Sequence, residues 1–260
     1  AISLLLPARL IAAGFTSSQA MSEIGVAMGM SMPILSIPST LIGSIALVMV
    51  PELAENFFRG AHEKLRDNIE RAIKVTVLIV CLLIPPLFVL GVDIGELLFS
   101  STQGGEIIRD CCFMLLPMSL GMMTNSILNS LGYEKLTCAY FFIGAAVTLS
   151  CVWFLPQLVG IYALMIGMAG SSVVTMVLNL RLIAKKSKEK VRYLKHTFIA
   201  AASMVPAIAF GCLLRDLFGK LMPALPAAIL CGCILVAAEG LFILALGLAR
   251  PQWVKVLVRK

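Results

Sequence analysis

Polar and acidic residues inside apolar stretches are the residues of this chain that could do chemistry. Glu23 and Glu239 are carboxylates, and Asn125 and Asn129 are amides, and all four lie within or at the end of long apolar runs. Such side chains are costly in the hydrocarbon of a bilayer, so each one invites a functional hypothesis. We therefore take Glu23, Asn125, Asn129 and Glu239 as candidate site residues.

The two asparagines are four residues apart, which places Asn125 and Asn129 on one face of a helix. Two interpretations stay open for them. They line a hydrophilic cavity that meets sugar hydroxyls, or they form hydrogen bonds between helices, worth roughly 1 kcal/mol each. Glu239 stands apart among small and apolar residues. It either pairs with a neighbouring helix or titrates during ion coupling.

Cysteine and histidine do not form a ligand set. Six of the eight cysteines lie within or at the margin of apolar runs, without any Cys-x-x-Cys pair. Cys111 and Cys112 begin a span, where a disulfide is conceivable but not implied. His62 and His196 lie in or beside charged segments. Motifs of hydrolases, zinc proteases and phosphate-binding loops are missing too. We predict no catalytic residue, no metal, no cofactor and no enzyme activity.

The elements that position these residues follow from composition. The 260 residues are 60% hydrophobic and 13% charged, against about 45–50% and about 25% in soluble domains. Apolar runs cut at charge clusters predict seven spans, because a crossing takes about 20 residues. These spans are 24–50, 69–92, 107–131, 136–155, 159–183, 197–214 and 221–249. Residues 1–14 are apolar but too few, and we read them as a partial transmembrane helix in a truncated chain. The predicted fold class is an all-α polytopic membrane helix bundle.

Charge distribution supports this count. With seven spans, most of the 21 Lys and Arg residues fall on one side, which predicts a cytoplasmic C-terminus. The net charge of +7 then reflects orientation and anionic headgroups, and no nucleic-acid partner is predicted. Before the second span, Leu65, Ile69, Ala72 and Ile73 recur at helical spacing. This predicts an amphipathic helix on the membrane surface, or a solvated linker leading into the span.

Prolines and small residues mark the spans. Prolines are expected to interrupt several of them, as in the broken helices of transporters, although proline is also common in ordinary membrane helices. The prolines concerned are Pro33, Pro38, Pro85, Pro86, Pro117 and Pro206. Two pairs of small residues, Gly25 with Gly29 and Ala163 with Gly167, predict close helix packing.

Several segments together carry a family resemblance: LLPARLIAAGFTSSQA, SIPSTLIGSIALVMVPELAE, the charged IERAIK entry and SILNSLGYEK. The chain resembles the polysaccharide and lipid-oligosaccharide flippases of the MOP superfamily, above all the stage V sporulation protein B branch. The matching positions are Pro7, Arg9, Leu10, Gly14, Pro38, Pro51, Glu52, Leu128, Gly132 and Lys135. Members have 14 helices in two lobes. The resemblance therefore implies that residues 1–184 form the C-terminal lobe, from the end of helix 7 to helix 12. Residues 185–260 would form two additional helices and a cytoplasmic tail.

The resemblance also implies a function and partners. The parent protein would flip a lipid-linked sugar or envelope precursor across the bacterial cytoplasmic membrane by alternating access, with the N-terminal lobe as the missing partner. Arg9 would contact the pyrophosphate, since guanidinium binds phosphate bidentately, unless it is an interfacial, snorkelling arginine. Substrate binding is assigned to Arg9, Glu23, Asn125 and Asn129. Lipid II flippases carry a basic residue in the helix matching 24–50, and this span has none. This difference argues against lipid II as the substrate.

Three alternatives remain. A multidrug and toxin extrusion antiporter shares this architecture but prefers acidic residues deep in the lobe. The acidic residue of this chain that is clearly within a span is Glu239, and it belongs to one of the two additional helices. A membrane-embedded glycan polymerase needs a large outer loop with catalytic charges. The segment 92–110 is short for this purpose, although it holds Asp93, Glu96, Glu106 and Asp110. A structural scaffold is the third.

Overall fold

The computed structural model describes residues 2–186, 194–221 and 223–245, and these residues are organised as helices joined by short turns. In chain order the helices are α1 (Ile2–Ala12), α2 (Ser17–Ile24), α3 (Met32–Phe58), α4 (His62–Phe99), α5 (Thr102–Cys111), α6 (Leu115–Ser130), α7 (Glu134–Phe154), α8 (Pro156–Val159), α9 (Tyr162–Lys186), α10 (Leu194–Leu221) and α11 (Ala224–Ala245). A π-helical segment, Gly25–Ser31, joins α2 to α3, and a 3₁₀ turn, Cys112–Met114, joins α5 to α6.

Seven of these helical stretches are long and apolar enough to cross a bilayer, and α1 is a shorter apolar helix. The predicted fold class and span count are therefore confirmed for the described residues. Each predicted span coincides with one of the seven, although several helices extend well beyond the hydropathy limits. The predicted C-terminal tail lies outside the described residues.

The first crossing is one continuous stretch, Ser17–Phe58, of 42 residues. It begins with a capping box, in which the Thr16 side chain accepts from Gln19 N–H and the Gln19 side chain accepts from Thr16 N–H. The π-helical segment then widens the turns over seven residues. Pro33 is the second residue of α3, so the residue that lacks an N–H lies where the π hydrogen-bond pattern gives way to the α pattern. The helix therefore changes geometry beside Pro33 without ending.

The other prolines do not break their helices. Pro85 and Pro86 lie inside the 38-residue helix α4, and Pro206 lies inside α10. Pro38 lies inside α3, and Pro117 lies near the start of α6. The expected interruptions are therefore wrong at Pro38, Pro85, Pro86 and Pro206, whereas the 3₁₀ turn Cys112–Met114 does interrupt the regular α-helix just before Pro117. A proline removes one backbone hydrogen bond, and the surrounding bonds of a long apolar helix keep it continuous.

The segment before the second span is not a separate surface helix. Residues 62–73 form the first three turns of α4. Leu65, Ile69, Ala72 and Ile73 are 5%, 1%, 0% and 1% exposed. The predicted periodicity is correct, but this face is buried within the protein rather than laid on lipid. Beside it, Asn68 Nδ2 donates to Glu52 Oε1 at 2.9 Å, which ties the start of α4 to α3.

The segment 92–110, predicted as an outer loop, is helical on both sides of a turn at Ser100 and Ser101. Helices α4 and α5 meet here backbone to backbone. A Cβ added to Gly91 would lie 2.8 Å from Arg109 N, and one added to Gly95 would collide with the backbone of Gly105. Glycine is required at these positions because the two backbones leave no room for a side chain.

The described residues form two compact units. Unit 1 comprises residues 1–73 and 113–191, and unit 2 comprises residues 74–112 and 192–260. In unit 1, helix α6 packs against α3 and α9, and α7 packs against α1 and α9. In unit 2, Val89, Leu90, Cys231 and Leu235 form a buried core between α4 and α11. The predicted division at residues 184 and 185 stays a prediction.

Small residues predicted at helix contacts behave differently in the two pairs. Gly167 faces α7 closely, since a Cβ there would lie 3.2 Å from Thr148 Cα, and Ala163 is fully buried. Gly25 and Gly29 have open space where a Cβ would be. Close packing is therefore confirmed for Gly167, and the expectation for the other pair is wrong.

The glycine contact between α4 and α5 makes a prediction. Replacing Gly105→Ala would place a Cβ 2.5 Å from Val92 Cα, so the two helices must separate. Overpacking of this kind costs about 1–3 kcal/mol. We expect a clear fall in the thermal unfolding temperature of the detergent-solubilised chain, measured by circular dichroism. Gly219→Ala is the matched control, because nothing lies within 4 Å of its added Cβ. Equal behaviour of the two variants would contradict the contact.

Candidate functional site

Arg9 is fixed against helix α7 by two contacts with one residue. Its Nε donates to the Trp153 carbonyl oxygen at 3.0 Å, and its guanidinium carbon lies 4.6 Å from the centroid of the Trp153 ring. A guanidinium over an indole face gains a cation–π attraction. The group is therefore held over the ring at the end of α7, with one of its donors already used.

Asn129 also contacts α7, but near its beginning. The Thr137 hydroxyl donates to Asn129 Oδ1 at 2.7 Å, across the turn that joins α6 to α7. Thr137 and Trp153 are 16 residues apart on α7, or about 24 Å at 1.5 Å per residue. Arg9 and Asn129 therefore lie at opposite ends of one helix, and no single phosphate or sugar ring contacts both.

Glu23 and Asn125 are both half-buried. Glu23 lies in the last turn of α2, immediately before the π-helical segment. Segments of π-helix are rare and frequently mark functional sites. The assignment of substrate binding to these residues and to Arg9 and Asn129 stays a prediction, and the contacts described here do not gather the four at one place.

A buried group of polar side chains in unit 1, which we call the polar seam, consists of Ser39 on α3, Ser119 and Thr124 on α6, and Asn179 on α9. Asn179 Nδ2 donates to Thr124 Oγ1 at 3.2 Å and lies 3.5 Å from the Gly121 carbonyl oxygen. Ser119, Thr124 and Asn179 are 0% exposed, and Ser39 is 6% exposed. Asn179 and Thr124 are in direct contact, and Ser39 and Ser119 are buried on α3 and α6, which pack against each other.

Three oxygens of the polar seam have no hydrogen-bond partner: Ser39 Oγ, Ser119 Oγ and Asn179 Oδ1. A buried polar atom without a partner costs about 1–3 kcal/mol. Native structures contain few such atoms, and each one calls for an explanation such as strain, function or bound water. Three such atoms, on α6 and on the two helices that pack against it, make the polar seam the candidate functional site of unit 1.

In unit 2, Glu239 on α11 meets Ser203 on α10. Ser203 Oγ lies 2.7 Å from Glu239 Oε1, and both side chains are buried. The other carboxyl oxygen, Oε2, is buried without a partner. Pairing with a neighbouring helix, one of the two interpretations left open for Glu239, is therefore present in the structure.

An ion pair and a cavity lie elsewhere in unit 2. Arg215 on α10 donates to both carboxylate oxygens of Asp93 on α4, at 2.7 and 2.9 Å. Beside them lies a cavity of about 440 Å³, whose lining residues are Leu90, Asp93, Arg215, Asp216, Gly219, Ala227 and Ala228. The pair joins helices 122 residues apart in sequence.

All eight cysteines are free thiols, including the adjacent pair Cys111 and Cys112. Cys111 is 8% exposed and Cys112 is 0% exposed. Across residues 2–186, 194–221 and 223–245, no three or more His, Cys, Asp or Glu residues come together as a group that could hold a metal ion.

Comparison with known proteins gives no relative: the chain matches no family model, no curated protein and no solved structure. The resemblance to MOP flippases therefore rests on the sequence motifs and stays a prediction.

Sequence reasoning missed Ser39, Ser119, Asn179, Ser203 and the Asp93–Arg215 pair. Asn179 carried the same signal as Asn125, an amide within an apolar run. The serines carried no distinctive signal, because hydroxyls are frequent in membrane helices. Asp93 and Arg215 are 122 residues apart in sequence, and only the helix packing shows that they meet.

The Asp93–Arg215 pair makes a prediction about stability. Its two parallel hydrogen bonds join α4 to α10, and bonds to charged groups are worth about 1.5–3 kcal/mol before solvent screening. We expect Asp93→Asn to lower the unfolding free energy in detergent by about 1 kcal/mol or more. The control is Glu55→Gln, whose pair with Arg59 is an exposed contact within one helix and should change it by less than about 0.5 kcal/mol. Equal losses of unfolding free energy in the two variants would mean that the bidentate pair stabilises the protein no more than an exposed pair does.

Proposed function

We propose that this multi-pass membrane protein is part of a transporter that moves a lipid-linked saccharide across the bilayer. The observation that supports the proposal is the set of three unpartnered oxygens in the polar seam of unit 1. Hydroxyl and amide groups donate to and accept from sugar hydroxyls. Hydroxyls are common in membrane helices, but a buried one without a partner in the protein calls for an explanation, and a bound substrate supplies one.

The seam is closed in this structure, since its side chains are buried between packed helices. A sugar therefore reaches it only when α6 separates from α3 or α9. Alternating access is a motion of this kind, in which helix bundles rock around a fixed site. The π-helical segment beside α3 offers a place where such a bundle bends, because it interrupts regular α-helical geometry.

The charge of the buried polar groups favours a saccharide over a cation. The buried polar side chains described in unit 1 are all uncharged: Ser31, Ser39, Asn68, Ser119, Thr124, Thr137, Thr148 and Asn179. A cation antiporter needs an acidic group in this position. Glu239 is the buried acid of the described chain, and it belongs to unit 2. Neutral donors and acceptors suit the uncharged hydroxyls of a sugar.

Ser39→Ala and Ser119→Ala test the seam directly. Removing an unpartnered buried hydroxyl costs no hydrogen bond, so the unfolding temperature should stay the same or rise. If the hydroxyl binds sugar, affinity for a polyprenyl-pyrophosphate disaccharide should fall about fivefold for a bond of about 1 kcal/mol. Binding is measured on the full chain in lipid nanodiscs.

Thr148→Val is the matched control, because Thr148 is equally buried but bonded, lying 3.3 and 3.2 Å from the carbonyl oxygens of Gly144 and Gly167. It should lower stability and leave binding unchanged. If the two serine variants instead lose stability as Thr148→Val does, with binding intact, the seam is structural and the proposal is wrong.

Arg9 provides a separate test, of the pyrophosphate rather than the sugar. We expect Arg9→Lys to weaken binding of the same lipid nearly as much as Arg9→Ala, because lysine lacks the planar fork that binds phosphate bidentately. Arg59→Lys is the control, since Arg59 is an exposed residue paired within its own helix. A change in stability without a change in binding would identify Arg9 as an anchor on Trp153.

A further inference from the structure

Helices α10 and α11 pack together, and one buried contact between polar side chains joins them. Ser203 is 4% exposed and Glu239 is 0% exposed. Ser203 Oγ lies 2.7 Å from Glu239 Oε1 and 2.8 Å from the carbonyl oxygen of Ala200 in its own helix. Both distances are those of ordinary O–H···O hydrogen bonds.

The number of hydrogens at this contact decides the state of the carboxyl group. A serine hydroxyl has one hydrogen to donate, and two oxygens stand at bonding distance from it. If Glu239 is ionised, its carboxylate carries no hydrogen. The single serine hydrogen then fills only one of the two short O···O contacts, and the other contact has no hydrogen in it. If Glu239 carries a proton on Oε1, it donates to Ser203 Oγ, and the serine hydrogen goes to Ala200. Each contact then contains one hydrogen.

The second carboxyl oxygen of Glu239 also indicates that the group is protonated. Glu239 Oε2 is buried and has no partner. In a carboxylate this atom holds about half of the negative charge, and a buried charge without a partner is far more costly than a buried neutral carbonyl. In the acid it is the neutral carbonyl oxygen.

Among the residues that the structure describes, no positive charge offsets an anion at Glu239. The neighbours of Glu239 described by the structure are Ser203 on α10 and the titratable thiol of Cys81 on α4. Leu82, also on α4, lies against the neighbouring Gly240. Neither a lysine nor an arginine among the described residues pairs with Glu239.

We propose that Glu239 is a proton-binding site, a neutral carboxylic acid at neutral pH that donates from Oε1 to Ser203 and joins α10 to α11. The site is formed within unit 2 alone, and it does not depend on which substrate is transported. Ser203 is a positioning residue, which fixes the acid through its second hydrogen bond to Ala200.

Infrared spectroscopy of the full chain in lipid tests the protonation state. The difference spectrum of wild type minus Glu239→Gln should show the C=O stretch of a protonated carboxylic acid at neutral pH. This band should move to lower frequency in D₂O and should shift again in Ser203→Ala, which removes the acceptor. Glu134→Gln is the control, because Glu134 is exposed at the start of α7, and its difference spectrum should contain carboxylate bands only.

Two outcomes would overturn the proposal. Carboxylate bands in the Glu239→Gln difference spectrum would show an ionised group. A protonated band that does not respond to Ser203→Ala would show that the acid is not bonded as the structure places it. If Glu239→Gln does not fold, the difference spectrum of wild type minus Ser203→Ala replaces it. A shifted pair of acid bands in that spectrum would support the proposal, and the absence of any acid band would overturn it.

Discussion

Polar groups on membrane helices need partners within the protein, and this requirement governs the arrangement of both units. Most hydroxyls meet it locally, by donating to a carbonyl three or four residues earlier in their own helix. The serines and threonines that do so include Ser36, Thr40, Ser44, Ser126, Ser150 and Ser172. A hydroxyl satisfied in this way places no demand on a neighbouring helix, and the chain can carry it on an exposed face.

The exceptions define where the two units have polar interiors. In unit 1 the amide of Asn179 reaches across to Thr124, and three oxygens of the polar seam have no partner. In unit 2 the carboxyl of Glu239 reaches across to Ser203. Each unit thus contains a buried hydrogen bond between polar side chains of two neighbouring helices. These contacts fix the rotation of one helix against the next, since apolar packing alone is less directional.

The number and type of the spans could be predicted from sequence because bilayer thickness limits the length of an apolar run. The position of candidate polar residues could be predicted by residue type, which selected Glu239 correctly as a buried acid. Which asparagine is buried could not be predicted. Asn125 and Asn179 look alike in sequence, and only the register of α9 against α6, set by contacts more than 50 residues apart, buries Asn179. The polar seam could not be predicted for the same reason, because helix register decides which polar side chains are buried.

Two of the wrong predictions, those for residues 62–73 and 92–110, have a common physical cause, which is that charge was taken to mark the end of a helix. Residues 62–73 and 92–110 are rich in charge, yet both are largely helical. In the first, the charges occupy one face of α4 and leave an apolar face to pack. In the second, glycines let α4 and α5 approach so closely that backbone contact replaces side-chain burial. Hydropathy averages over faces and does not detect either arrangement.

The π-helical segment Gly25–Ser31 has a consequence for how this chain tolerates insertions and deletions. A π turn holds more residues than an α turn, so removing one residue there relaxes the segment toward a regular α-helix. Each residue of an α-helix turns the chain by about 100°. A deletion in a regular α-helical part of the span would therefore rotate everything before it by this angle, whereas here the change from π to α geometry absorbs the lost residue and α2 keeps nearly its present direction relative to α3. The segment is a point where the span can lose one residue without turning Glu23 away from its present direction.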